Sequence, residues 1–296
     1  AATGECVEVL MKSELTKQEI IKLIDQNGCC LARNGNLNLA PANDRIIKVS
    51  APLGMEPYAR MISSIMAKNY AMGINHCLID IPVWPTAKVS TQADAERIAQ
   101  HFKNIGEYLD IKTQVILTKA EQPIGNGIGA VLQVREVLRV LQQHKLRPHD
   151  LEQKALELAA HIVVLCGLCK TYDQALEKVS LQLTSWAARE KMQEIISSQE
   201  GKNPKIWSEE LEIAPNTMEI TAKNSGTISA IDMKYLNSIA RTLGAPGDLS
   251  AWVYLHKKLD DKVKAGEVLY TLYAQSANKL ALAQELLEKK DFLTLE

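Results

Sequence analysis

The stretch 76–144 alternates between short apolar runs and longer amphipathic segments, and this order constrains the fold more than any other feature of the chain. His76–Val83 and Thr113–Thr118 have the length and apolar content of buried strands. Between them, 91–109 has helical spacing, and another helix is expected after Gly129. Because a strand–helix–strand order pairs the strands in parallel, the sequence predicts an α/β protein with a mixed, mostly parallel sheet flanked by helices.

Local signals predict four further helices. A capping-box pattern followed by glycine predicts a helix over 16–27. A proline start and a glycine stop predict another from Pro57 to about Met72. Apolar residues at helical spacing predict two more, over about 151–170 and 173–199.

After Pro204 the pattern changes to short strand-like runs separated by turn residues. These runs are Glu219–Ala222, Gly226–Ile231, Ala251–Leu255 and Val268–Tyr273. One further segment, 237–243, has helical spacing. We therefore divide the chain into an α/β domain over 1–205 and an α+β domain over 206–296.

The composition excludes several classes of protein. The 296 residues contain 34 Lys and Arg against 35 Asp and Glu, and only 5% are aromatic. Without a basic excess or many rings for base stacking, the chain is not expected to bind nucleic acid. No apolar run approaches the ~20 residues that span a bilayer, so no membrane partner is expected.

The six cysteines are sparse and lie in apolar segments, which indicates a reduced, cytoplasmic protein. Cys166 and Cys169 have CxxC spacing, but they end a helical stretch, whereas a redox motif follows a strand and opens a helix. We therefore interpret both as buried structural thiols.

The glycine-rich segment Gly125–Gly129 follows a predicted strand and opens a helix. Such glycines let a backbone approach a phosphate closely, or they let two elements of the protein pack closely. The spacing matches neither the dinucleotide-binding pattern nor the P-loop, so both interpretations stay open.

The helix from Pro57 carries a polar stripe. Arg60, Ser64 and Lys68 are four residues apart and share one face, and Glu56 stands at the helix start. One interpretation is a solvated stripe with a capping acid. The other is a cleft in which the carboxyl group exchanges a proton beside a row of donors.

The histidines do not show the spacing of a zinc site, and no Gly-x-Ser-x-Gly motif indicates a hydrolase serine. We expect no metal and no cofactor.

Several segments together resemble the thymidine phosphorylase and AMP phosphorylase family, specifically its longer thymidine phosphorylase type. They cover nearly the whole chain in the family's order. The matching segments are Thr3–Leu10, Asn38–Asp44, Ser64–Lys68, Ile79–Val83, Ala87–Val89, Gln122–Gly129, Ile239–Pro246 and Lys262–Leu269.

The resemblance implies phosphorolysis of a nucleoside N-glycosidic bond, with inorganic phosphate as co-substrate. The preferred reaction converts thymidine and phosphate into thymine and 2-deoxyribose 1-phosphate. The position of a base-contacting arginine in typical thymidine phosphorylases is Val49 here. An AMP or nucleoside 5′-monophosphate phosphorylase is therefore the alternative, as is a non-catalytic fragment of such an enzyme.

The resemblance also assigns roles to individual residues. Glu56 matches the family's proton donor, which is usually Asp, in the motif Pro-Leu-Gly-Met-Glu. Thr3, Ser64 and Lys88 match ligand-binding positions, and Lys68 matches a base-contacting lysine. The family's glycine-containing loop after the Asp-Ile-Pro-Val strand is Trp84-Pro-Thr86 here, and its tryptophan would narrow or reshape the cleft.

Further expectations follow from the resemblance. The family's phosphate-binding loop would precede Thr3, so we expect a C-terminal part of a longer phosphorylase that is inactive alone. A small helical lobe over about 41–72, a barrel-sandwich-like fold for the C-terminal domain and a homodimer are also expected. Met233-Lys234 is reminiscent of biotinyl carrier domains, but the helical sequence that follows argues against that class.

Overall fold

The computed structural model describes residues 3–33, 45–46 and 58–296. The chain forms two compact units. The first contains Ala1–Arg33, Glu121–Lys154 and Gln182–Glu296. The second contains Asn34–Ala120 and Ala155–Leu181. The boundary near residue 206 falls inside the first unit and stays a prediction, and most of the expected helical lobe lies outside the described residues.

The helices and strands alternate along much of the chain. The helices are α1 (Thr3–Leu10), α2 (Lys17–Asn27), α3 (Tyr58–Ala71), α4 (Gln92–Tyr108), α5 (Ala130–Leu141), α6 (His149–Leu165), α7 (Tyr172–Thr184), α8 (Ala187–Ser198), α9 (Met233–Leu243) and α10 (Ala277–Lys289), with a short 3₁₀ helix at Ser208–Glu210. The strands are β1 (His76–Val83), β2 (Lys112–Lys119), β3 (Gly127–Ile128), β4 (Asn216–Thr221), β5 (Gly226–Ile231), β6 (Trp252–Leu255), β7 (Lys262–Val263), β8 (Val268–Ala274) and β9 (Leu293–Leu295).

The second unit is built on a parallel pair of strands. β1 and β2 run side by side from His76 opposite Lys112 to Val83 opposite Lys119. The helix between them, α4, buries Ile98 and Phe102 against this pair, and its first turn is capped by the Thr91 side chain. Here the strand–helix–strand prediction is confirmed.

The C-terminal part of the first unit contains two antiparallel sheets. One has the order β3-β6-β8-β4 and the other β7-β5-β9. They share an apolar core with α9 and α10, in which Tyr270 and Leu272 are fully buried. The predicted fold class, mixed α/β with an α+β C-terminal part, is therefore confirmed; the described strands form open sheets.

The start of α9 decides against a carrier domain. Met233 is the first residue of this helix, and the Asp232 side chain accepts a hydrogen bond from the Tyr235 backbone N–H at 3.0 Å. Met233 and Lys234 therefore lie in the first turn of a helix, whereas a carrier lysine needs an exposed hairpin tip.

Two local predictions are wrong. The helix predicted over 173–199 is interrupted at Trp186, whose φ of 72° is left-handed and cannot continue a right-handed helix. Arg189 lies over this ring, with its Cζ 4.5 Å from the ring centroid, and also over the ring of Trp207 at 4.3 Å, so a contact with a residue distant in sequence accompanies the break. Cys166 is exposed, because α6 ends at Leu165 and the cysteine lies in the following turn.

No helix in the described part of the chain is both long enough and apolar enough to cross a membrane.

The capping box of α2 gives a pH-dependent prediction. A hydrogen bond from Lys12, and a second from the Thr16 backbone N–H, lower the pKa of Glu19 to about 2. Because this folded-state pKa lies below the ordinary 4.5, ionised Glu19 stabilises the folded chain. Its contribution to the free energy of unfolding is fully present above pH 4.5 and is lost as the pH falls toward 2. Urea unfolding at several pH values should show that Glu19→Gln removes part of this acid-induced loss of stability. The exposed Glu107→Gln serves as the control, and an equal acid-induced loss in wild type and Glu19→Gln would contradict the assignment.

Candidate active site

The carboxyl ends of β1 and β2 form one edge of the second unit. Val83 and Lys119, the last residues of the two strands, lie opposite each other. Near this edge the Thr118 hydroxyl donates a hydrogen bond to Asp80 Oδ1 at 2.8 Å. Ligands of open α/β sheets bind beyond the carboxyl ends of parallel strands, so this edge is where a site is expected.

A cavity of about 300 Å³ lies at this edge. Its lining combines apolar and polar side chains: Val83, Trp84, Pro85, Ser90, Gln92, Leu117, Thr118 and Lys119. The ammonium group of Lys119 lies 5.7 Å from the centroid of the Trp84 ring, within cation–π range. The cavity therefore offers an aromatic face and a cation side by side.

The loop that carries Lys88 is held at both ends. The Trp84 backbone N–H donates to Val89 O at 3.2 Å, and Val89 itself is buried. The Tyr58 hydroxyl donates to the Lys88 backbone O at 3.3 Å. This contact brings the Lys88 loop to the first turn of α3, while the Lys88 side chain stays exposed.

α3 presents the polar stripe predicted from its spacing. Ile62 and Met66 are buried against β1, β2 and α4. Ser64 and Lys68 are half-buried and one helical turn apart, about 6 Å along the axis. The same helix thus packs one face into the core and carries both candidate binding residues.

Of the other two candidates, one belongs to the first unit and one falls outside the described residues. Thr3 is the exposed first residue of α1 in the first unit, whereas Ser64, Lys68 and Lys88 belong to the second. Glu56 lies outside the described residues. The roles of all five residues stay predictions.

Sequence reasoning did not identify Tyr58, Thr118 or Lys119 as part of this site. The available signal was the change from apolar to polar residues at the end of β2, where Thr118-Lys119 follows Val-Ile-Leu. The pairing of Tyr58 with the Lys88 backbone has no sequence signal, because it depends on how α3 packs.

The Gly125–Gly129 loop is occupied by carboxylates of the protein itself. The Gly125 N–H donates to Asp150 Oδ2 at 3.1 Å, and the Asn126 N–H donates to Glu136 Oε1 at 2.9 Å. Burial raises the pKa of Glu136, although hydrogen bonds from the backbone N–H groups of Gly127 and Asn126 oppose the shift. Of the two interpretations, this geometry favours the close-packing loop, because the amides that would cradle a phosphate already have acceptors.

Lys258 contacts this loop and one of its carboxylate partners. Its ammonium group donates to Gly125 O at 3.0 Å and forms an ion pair with Asp150. Burial alone would raise the pKa of Asp150, but the hydrogen bond from Lys258 keeps it below its ordinary value.

The described residues contain no group of three or more His, Cys, Asp or Glu side chains that could hold a metal ion.

Comparison with known proteins shows which families and proteins the chain is similar to. Residues 227–291 match the family model described as the pyrimidine nucleoside phosphorylase C-terminal domain. An AMP phosphorylase of Thermofilum pendens is 38% identical over 288 residues, which is 97% of this chain and 55% of that protein. The chain is a relative of the thymidine and AMP phosphorylases. A protein of Rhodopseudomonas palustris (strain BisB18) that carries the provisional name thymidine phosphorylase is 39% identical over 280 residues, 93% of this chain and 52% of its own length. The resemblance seen in the sequence is therefore confirmed.

The chain spans about half the length of the curated relatives it matches. The two kinds of relative are similarly close, since identity is 39% to the first and 38% to the second. The substrate is therefore not decided by similarity.

Proposed function

We propose that the protein containing this chain is a pentosyltransferase that cleaves the N-glycosidic bond of a nucleoside with inorganic phosphate. The observation that carries the proposal is the similarity to thymidine and AMP phosphorylases over 93–97% of the chain. Our first choice of substrate is thymidine, with thymine and 2-deoxyribose 1-phosphate as products.

In the proposed reaction, a phosphate oxygen forms a bond to C1′ while the bond between C1′ and the base nitrogen breaks. The base leaves with the electron pair of that bond and takes a proton from a general acid, for which Glu56 is the candidate. The transition state resembles an oxocarbenium ion, so a group that holds phosphate close to C1′ stabilises it. Inorganic phosphate is a co-substrate, and the proposal includes no cofactor.

The geometry of the second unit supports these roles. Lys88 is an exposed residue of a loop that hydrogen bonds hold at both ends, and it supplies an ammonium group, a cation of the kind that binds phosphate. Ser64 and Lys68 add a hydroxyl and an ammonium group on one helix face. The aromatic face of Trp84 could stack on a base at the neighbouring cavity.

AMP is the second candidate substrate. The chain has Val49 where typical thymidine phosphorylases have a base-contacting arginine, and the Thermofilum pendens relative is named an AMP phosphorylase. A panel of thymidine, uridine, adenosine, AMP and CMP, each with phosphate, distinguishes the candidates. Exclusive turnover of AMP would overturn thymidine as our first choice.

The proposal includes four points about the location, assembly, partners and activity of the protein. The enzyme acts in the cytoplasm as a homodimer, without nucleic-acid or membrane partners. Residues 1–296 alone are inactive. The panel is therefore run on both the 296-residue chain and the full-length protein, and light scattering measures the oligomeric state.

Lys88→Met should lower kcat/KM in the full-length protein by about 10–100-fold, the range expected when a charge-assisted hydrogen bond is lost. Most of the effect should appear in the KM for phosphate, because the proposed role of Lys88 is binding. Lys103→Met, which removes an exposed ammonium group from α4 of the same unit, is the matched control. Equal KM values for phosphate in the two variants would show that Lys88 does not bind phosphate.

A further inference from the structure

The loop between β1 and α4 carries Lys88, the proposed phosphate-binding cation. The Ala87 backbone N–H donates to Trp84 O at 2.9 Å, and the Trp84 N–H donates to Val89 O at 3.2 Å. A parallel bridge also joins Val83, the last residue of β1, to Val89. These contacts close the loop onto the end of β1, and none of them involves the backbone carbonyl of Lys88.

The Lys88 carbonyl makes a contact with another element. The hydroxyl of Tyr58, the first residue of α3, donates to the Lys88 backbone O at 3.3 Å. The two residues are 30 positions apart in sequence, so this hydrogen bond joins α3 to the loop. Because the acceptor belongs to the backbone, the contact constrains the main chain that carries the Lys88 side chain.

The position of the Tyr58 ring depends on the core of the second unit. The ring packs against the apolar cluster of α3, α4 and the two parallel strands. In this cluster Ile62 of α3 is 3% exposed and Ile98 of α4 is 1% exposed. A closely packed core allows few alternative side-chain positions, so the place at which the Tyr58 hydroxyl meets the loop follows from this packing.

α3 also carries the other two candidate binding residues of the second unit. Ser64 and Lys68 follow Tyr58 by six and ten positions on the same helix. At a rise of about 1.5 Å per residue, they lie about 9 and 15 Å from Tyr58 along the helix axis. Since a helix is a stiff element, a contact at its first residue sets the position of the Lys88 loop relative to both side chains.

We propose that Tyr58 is a positioning residue, which holds the Lys88 loop in a fixed place relative to Ser64 and Lys68. The inference rests on the proposed function, because it takes Lys88 as a group that binds inorganic phosphate. Tyr58 acts through the backbone of the loop and is assigned no contact with phosphate or with the reacting bond. Its loss should therefore weaken phosphate binding and leave the chemical step nearly unchanged.

Tyr58→Phe removes only the hydroxyl group and keeps the ring that packs against the core. The assay is steady-state phosphorolysis by the full-length protein, with the nucleoside or nucleotide saturating and phosphate varied. We expect the KM for phosphate to rise about 2–10-fold, as for the loss of one hydrogen bond, while kcat stays close to that of the wild type. Tyr70→Phe, which removes an exposed hydroxyl group from the last turn of α3, should leave both constants unchanged.

A double-mutant cycle with Lys88→Met separates positioning from a structural role. If Tyr58 acts through Lys88, Tyr58→Phe should raise the KM for phosphate much less in the Lys88→Met background than in the wild type. Thermal unfolding of the same variants measures their stability. A lower Tm in Tyr58→Phe with an unchanged KM for phosphate would show a structural contribution only and would overturn the proposal.

The failure of this inference can be distinguished from the failure of the proposed function. A wild-type protein without phosphate-dependent turnover would contradict the proposed phosphorolysis, and the role of Tyr58 would be overturned as well. Normal wild-type turnover, with equal KM values for phosphate in Tyr58→Phe and Tyr70→Phe, would overturn the assignment of Tyr58 alone. An equal rise in that KM in the wild-type and Lys88→Met backgrounds would also overturn it.

Discussion

Replacing Glu56 by glutamine is expected to lower kcat of the full-length enzyme by about 10²–10⁴-fold, the usual range for loss of a general acid. Glutamine keeps the size and polarity of the side chain but has no carboxyl proton to give to the departing base. In sequence, Glu56 precedes Tyr58, the first residue of α3, by two positions. A carboxylic acid that donates a proton near neutral pH needs a raised pKa, which burial or a neighbouring acid provides.

The measurement is steady-state phosphorolysis by Glu56→Gln, with Glu107→Gln as a control that changes an exposed glutamate in the second unit. Thermal unfolding of both variants shows whether the fold is preserved. Turnover close to that of the wild type in a folded Glu56→Gln variant would leave Glu56 as a capping residue. The polar stripe of α3 would then be interpreted as a solvated surface of the helix.

Substituting Gly129 by alanine is expected to destabilise the chain by about 2–6 kcal/mol. Gly129 has a φ of 137°, a conformation that costs a non-glycine residue about 1–3 kcal/mol. A Cβ at this position would also overlap the side chain of Trp252, which is buried, and overpacking of this kind adds about 1–3 kcal/mol. The effect follows from the close-packing interpretation of the glycine-rich loop.

Urea unfolding of Gly129→Ala and Gly266→Ala separates the two contributions. Gly266 also has a positive φ, 85°, but a Cβ there would have no neighbour within 4 Å. We expect Gly129→Ala to lose more stability than Gly266→Ala, by about the overpacking amount. Equal losses would show that the approach of Trp252 to Gly129 does not constrain this loop.

Short-range patterns in the sequence predicted much of the fold. The capping box of Thr16 and Glu19, with Gly28 at the far end, marked α2 to within one residue, because all its hydrogen bonds join neighbours in sequence. The alternation of strands and helices also predicted the parallel pairing of β1 with β2. Such features depend on local geometry and on the handedness of short connections.

Long-range packing explains what the sequence did not predict. β3 pairs with β6, with Gly127 opposite Tyr254. Local sequence patterns do not predict which strands pair when the two strands lie so far apart in the chain. At the break, Arg189 lies over the Trp186 ring, and its Cζ also lies 4.3 Å from the ring centroid of Trp207. Helical periodicity continues through that point, so only tertiary contact reveals the interruption.

The candidate site also combines features that the local sequence predicted with features that depend on long-range packing. The stripe of Ser64 and Lys68 follows from spacing on one helix, and its position opposite the buried face of α3 agrees with that prediction. The contacts from Tyr58 to the Lys88 loop and from Lys119 to Trp84 cross between elements. These contacts depend on how α3 and the two strands pack, which residue spacing does not encode.

The proposed phosphorolysis is tested most directly by phosphorus NMR of the full-length protein with thymidine or AMP and inorganic phosphate. We expect a pentose phosphate resonance to appear as inorganic phosphate disappears, with one free base released for each phosphate consumed. We also expect no free base when phosphate is omitted. Release of base at the same rate without phosphate, or no consumption of phosphate with any nucleoside or nucleotide of the panel, would contradict the proposed function.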